Sequence, residues 1–134
     1  MSELGARRHR ARERAVELLY EAAIKGRPVS VVVTELPVPP DEYTSALLAA
    51  TTLHEAQALE LISRFSIDWP VERMAVLDRL ILTLGTSEML MDDAPPPPVI
   101  LDEAVELAKT YSTDGSPSFV NGVLSSIADE LKEH

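Results

Sequence analysis

Arg27-Pro28-Val29-Ser30-Val31-Val32-Val33-Thr34-Glu35-Leu36-Pro37 is the one stretch of this 134-residue chain that argues, by propensity, for a β-strand. β-Branched residues dominate it, and they favour pleated surfaces. No other segment alternates or clusters such residues, however, and a strand without a partner is not stable. Ser30 can instead cap one or two helical turns that end before Pro37. The segment is therefore expected to be a short helix, and an all-α fold follows.

Upstream, Arg7-Arg8-His9-Arg10-Ala11-Arg12-Glu13-Arg14 runs straight into Ala15-Val16-Glu17-Leu18-Leu19-Tyr20-Glu21-Ala22-Ala23-Ile24. Ala11, Ala15, Leu18, Leu19 and Ala22 recur at helical spacing, and Gly26 is the expected stop. The arginines crowd the start of this helix, where each cation costs about 0.3–1 kcal/mol against the helix dipole. An anion that they must meet is the simplest reason to keep them, and a nucleic-acid backbone is the commonest polyanion. A solvated, partly ordered N-terminus is the plainer alternative.

Downstream, Pro37, Pro39 and Pro40 make a rigid break, and Asp41 is the expected cap of a helix through Tyr43, Ala46, Leu47, Ala50 and Leu53 to about His54. Thr51-Thr52 makes a bend or restart plausible. Ala56, Leu59, Ile62 and Phe65 mark a further helix. Asp68-Trp69-Pro70 is expected to open the strongest helix, with Asp68 as cap, Trp69 as core anchor and Met74, Leu77, Ile81 and Leu84 on one face. Gly85 within it implies a closely packed neighbour. Pro95 to Pro98 form a stiff corner before a helix from Val99 to Tyr111, in which Asp102, Glu103 and Glu106 face outward or pair with Lys109. The last helix has Ser116 as cap and Pro117 in its first turn, then Val120, Leu124, Ile127 and Leu131 as the buried stripe. Gly122 again implies close packing, and Asn121 is expected to bond another segment's backbone.

The net charge of −10 argues against nucleic acid only in bulk. Residues 1–27 carry seven basic side chains (Arg7, Arg8, Arg10, Arg12, Arg14, Lys25, Arg27) against four acids (Glu3, Glu13, Glu17, Glu21), a net of +3. The remainder carries five basic and eighteen acidic residues, a net of −13. A basic tip on an acidic body can hold a nucleic acid locally and repel it elsewhere, and the body suits a basic protein partner. Apolar residues make up 46% of the chain, enough for a sizeable core. There is no cysteine, hence no disulfide framework, thiolate metal site or Cys nucleophile. No apolar run approaches a membrane span and no signal peptide is evident, so a soluble, cytoplasmic protein is expected. No phosphate loop, metal-ligand spacing or Ser/His/Asp set is present, so no enzyme, cofactor or metal is expected. His54, alone near a helix junction, has no partner at ligand spacing.

Three blocks together resemble the NusB family of bacterial transcription antitermination factors over nearly the full length. They are Arg7 to Glu13 with Leu18-Leu19-Tyr20; Trp69, Arg73-Met74, Asp78-Arg79, Ile81-Leu82 and Glu88; and Asp102 to Lys109 followed by Phe119-Val120-Asn121-Gly122-Val123-Leu124. The match is poorest from Val29 to Phe65.

The resemblance implies an all-α fold of about seven helices in two small packed bundles. It makes residues 1–134 a single RNA-binding domain, with an N-terminal helical half over residues 1–54 and a C-terminal helical half over residues 55–134. It also implies binding of single-stranded, boxA-type ribosomal RNA leader sequence together with NusE, a ribosomal small-subunit protein, so that RNA polymerase reads through terminators. Arg7, Arg8, Arg10 and Arg12 match the family's arginine-rich tract and would neutralise phosphates. Tyr20 and Phe119 are candidate base contacts, with core packing as the alternative for each. Ser116 and the amides around it are a candidate phosphate site. Glu72, Asp78 and Arg79 are candidates for the NusE-facing surface. Gly115 stands where many relatives carry an acid, Thr83 where a basic residue is common, and Ser87 where an aromatic is common. The other reading is a protein-interaction module, a homodimer or NusE-binding unit, with weak or no RNA binding.

Overall fold

The computed structural model describes residues 2–67 and 69–133. Among these residues there are six α-helices and no strand: α1 (Glu3–Lys25), α2 (Val29–Thr34), α3 (Glu42–Phe65), α4 (Val76–Met89), α5 (Pro97–Tyr111) and α6 (Ser116–Lys132), with a single 3₁₀ turn at Val71–Arg73. The valine-rich segment is indeed a short helix, α2. Its start is set by Pro28, not by Ser30, and no side chain caps it. An Arg27–Glu35 ion pair at 2.8 Å spans it from end to end.

Helix α1 begins four residues before Arg7. The Ser2 hydroxyl accepts the Gly5 amide at 2.9 Å, and Glu3 occupies the first turn. The arginines therefore lie beyond the first turn, where the dipole effect has faded. The electrostatic conflict expected of them is absent. Gly26 does end the helix, at φ 64°, a left-handed conformation that glycine adopts without Cβ strain.

Asp41 caps α3 by accepting the Tyr43 amide at 3.0 Å. The helix then runs unbroken for 24 residues. The hydroxyls of Thr51 and Thr52 both return to the Leu48 carbonyl, at 2.8 and 3.1 Å, so neither competes for a new helix start. Thr44, Leu47, Leu48, Thr51, Ala58, Leu61 and Ile62 keep one buried register through it. Leu53 and Ala56, expected inside, face solvent. The division expected at residue 54 falls inside this continuous helix, and all six helices contribute to one hydrophobic core.

Helix α4 is the axis of the molecule, packed by α1, α3, α5 and α6. Every residue from Leu80 to Glu88 is buried, as a helix enclosed on all sides requires. It starts later than Asp68-Trp69-Pro70 implies: Pro70 leads only the 3₁₀ turn, Met74 is extended, and α4 begins at Val76. Trp69 is half exposed and does not anchor the core; Asp68 lies outside the described residues. A Cβ on Gly85 would sit 3.0 Å from Leu124 Cδ1, so the close neighbour expected there is α6. Gly122, by contrast, faces open space, and Asn121 is exposed. No helix among the described residues is long and apolar enough to cross a membrane.

Candidate nucleic-acid interface

The arginines of α1 fall on two faces. Arg7, Arg10 and Arg14 are exposed and spaced three and four residues apart, so they share one side of the helix. Arg8 and Arg12 lie on another side with the buried Ala15. Arg12 is 2% exposed. Its guanidinium grips the Glu88 carboxylate through Nε at 2.9 Å and Nη2 at 2.6 Å, and lies 3.5 Å from Glu103 Oε1. The Tyr43 hydroxyl donates to the same Glu88 carboxylate at 2.5 Å. Burial alone would lower the Arg12 pKa, but the Glu88 hydrogen bonds and the charges of Glu88 and Glu103 outweigh it and raise the value. Burial and the Glu88 bond likewise push the Tyr43 phenol well above its usual range. A guanidinium committed in this way is not presented to a phosphate.

His9 continues the network outward. Its Nδ1 lies 2.6 Å from Glu103 Oε2 and its Nε2 3.7 Å from Glu13. The Glu103 hydrogen bond raises its pKa despite partial burial. Glu103 thus faces α1, not Lys109, which pairs with Glu106. Arg8 is half-buried and lies over the Tyr43 ring at 4.6 Å from its centroid, within cation–π range.

The outer face is looser. Arg7 pairs with Asp41 at 3.4 Å and Arg14 with Glu17 at 3.4 Å, all four side chains well exposed. Exposed pairs of this kind hold their cations weakly. Among the described residues Arg10 has no ion pair. The three arginines line one side of a groove of about 320 Å³, and Leu36, Val38, Pro39 and Pro40 line the other. The periodicity of residues 7, 10 and 14 against 8 and 12 was the signal that separates the outer arginines from the inner ones. The partners Tyr43, Glu88 and Glu103 carry no such signal.

The other expected residues are scattered. Tyr20 is 41% exposed, but at about 100° per residue it lies roughly 120° around α1 from Arg14. Phe119 is half-buried and packs against the core. Ser116 is not a cap: Gly115 takes that place, and the 3%-exposed Ser116 hydroxyl bonds those of Ser112 at 2.9 Å and Thr113 at 3.1 Å. Its hydroxyl is spent inside the protein and cannot serve a phosphate. Asp78 is also buried, accepting the Ser112 hydroxyl at 2.6 Å, which removes it from any partner surface. Glu72 is exposed and Arg79 half-buried beside a groove between α1 and α4. Thr83 donates to the Arg79 carbonyl at 2.7 Å. The buried Ser87 hydroxyl has no partner among the described residues. No group of three His, Asp or Glu side chains among them is placed to hold a metal ion.

The NusB family model matches residues 9–129. The chain is 45% identical to the transcription antitermination protein NusB of Thermobifida fusca, covering 92% of this chain and 89% of that one. It is 41% identical to the protein of the same name from Streptomyces griseus, covering 92% and 93%. The fold superposes on NusB of T. maritima with a TM-score of 0.82 at 31% identity, covering 92% and 91%. It also superposes, at 0.76 and 26% identity, on a chain from a crystal structure of antitermination factors NusB and NusE in complex with dsRNA, covering 92% and 96%.

Proposed function

The chain belongs to the NusB family, and on that premise we propose that the outer face of α1 is where it holds RNA. It is a transcription antitermination factor that acts on RNA together with NusE. The observation that carries the residue assignment is the division of the arginines. Arg12 is locked to Glu88, whereas Arg7 and Arg10 project into solvent with weak or no ion pairing. Arg7 and Arg10 therefore supply phosphate contacts, and Arg8 assists from its place on the Tyr43 ring. The RNA is boxA-type leader sequence, as the resemblance implies. Tyr20 offers an exposed ring for base stacking, and Phe119, half-buried against the core, is the second candidate base contact. Glu72 and Arg79 are the portion of the expected partner surface that remains accessible to NusE.

The test is binding of a boxA-type RNA, with and without NusE, at two salt concentrations. For a single strand each phosphate neutralised contributes about 0.7 to the slope of log affinity on log salt. Arg7→Ala with Arg10→Ala is expected to weaken binding at low salt and to flatten that slope by about 1.4. An unchanged affinity and slope, with the doubly substituted protein fully folded, would remove this face from the RNA site.

A further inference from the structure

The groove beside α1 has a second wall that the arginine contacts leave unexplained. Val38 is 72% exposed, among the most exposed large apolar side chains of the protein. It stands between Pro37 and Pro39-Pro40, whose rings fix the local backbone. The loop is pinned at its far end by Asp41, which both caps α3 and pairs with Arg7. An apolar surface is thus held rigidly out of the core, opposite Arg7, Arg10 and Arg14. These arginines extend over about 10 Å of helix axis at 1.5 Å per residue, a run suited to several phosphates and not to one small anion.

We propose that a single RNA strand lies in this groove, with its phosphates along Arg7, Arg10 and Arg14 and a base against Val38 and Pro39. The inference rests on the RNA-binding reading above and adds Arg14 and the apolar wall to it. A volume of about 320 Å³ is at the small end of ligand sites, roughly 300–1,000 Å³. It admits one unstacked base, whose face is available only in a single strand; a duplex hides base faces in its stack. Asp41 is the one acid lining this groove. Its charge opposes phosphate, and its tie to Arg7 must loosen as the strand enters.

Three substitutions in the full-length chain test this with a boxA-type single strand. Arg14→Ala is expected to lower the salt slope by about 0.7. Val38→Ser is expected to weaken binding about fivefold with the slope and the thermal midpoint unchanged, because Val38 contributes apolar contact and not charge. Asp41→Asn keeps a capping residue at the start of α3 and is expected to tighten binding about threefold while steepening the slope, since a competing anion is gone. A merely structural Asp41 would give no gain. The proposal is overturned if all three variants bind like the parent protein while the Arg7/Arg10 variant does not; the RNA-binding reading then survives without this groove. Equal competition by a duplex of the same sequence overturns it too. A parent protein that binds no RNA at either salt concentration, with NusE present, defeats both.

Discussion

Replacing Arg12 tests the division of the arginines most directly. Arg12 and Glu88 are both almost fully enclosed, with side chains 3% and 1% exposed. Arg12→Ala leaves the Glu88 carboxylate buried with only the Tyr43 hydroxyl donating to it. Breaking a buried pair by removing one partner costs about 3–5 kcal/mol, a large share of the roughly 5–15 kcal/mol that holds a domain together. For a chain of this length that corresponds to a fall in thermal midpoint of about 10–20 °C. Glu88→Gln should act in the same direction, because it strands the guanidinium instead. Replacing the whole unit at once, Arg12→Met with Glu88→Leu and Tyr43→Phe, should recover most of the loss, since no buried polar group is then left without a partner. Circular dichroism melts would read stability, and RNA titrations below the transition would read binding by the fraction still folded. The reasoning is refuted if Arg12→Ala melts within about 3 °C of the parent while its RNA affinity falls tenfold; Arg12 would then be a phosphate ligand after all.

The ion pair at His9 and the packing at two glycines lead to further measurable outcomes. The pKa of His9 is raised in the folded protein by Glu103, so its contribution to stability is complete below the ordinary imidazole value of about 6.5 and is lost as pH rises through the higher folded value. Urea unfolding should accordingly show a decline in stability across that interval that His9→Gln flattens; an equal decline in the variant would assign it to another group. Gly85→Ala drives a Cβ to 3.0 Å from the fully buried Leu124 and should cost about 1–3 kcal/mol despite better helix propensity. Gly122→Ala meets nothing within 4 Å and should gain up to about 1 kcal/mol; thermal melts that reverse this order would contradict the packing of α4 on α6.

Several features were legible from local chemistry because their causes lie within a few residues. Gly26 ends α1 since the left-handed backbone it adopts is a property of glycine itself. Asp41 caps α3 through a bond to an amide two residues away. The valines of α2 form a helix because no partner strand exists among the described residues. Where expectation and structure diverge, the deciding atoms lie beyond the local pattern. Trp69 faces solvent because α4 starts only at Val76. Ser116 turns inward because its hydroxyl joins that of Ser112, which in turn donates to Asp78, 34 positions away from Ser112. Glu103 leaves Lys109 for His9 and Arg12, 94 and 91 positions before it in the chain.

By itself, then, the order of residues determined an all-helical chain, the stop at Gly26 and the cap at Asp41, a basic segment on an acidic body and, through its resemblance, the family to which it belongs. The helices, the stop, the cap and the charge division depend on backbone propensity, periodicity or composition, which act at short range; the family rests on the resemblance of three sequence blocks. Only the tertiary structure decided which cations are free. Arg10 and Arg12 are neighbours on one helix and are alike in isolation, yet one meets water and the other meets Glu88, 76 positions away. That difference arises when α4 packs against α1, bringing a carboxylate out of water to a place where a guanidinium must satisfy it.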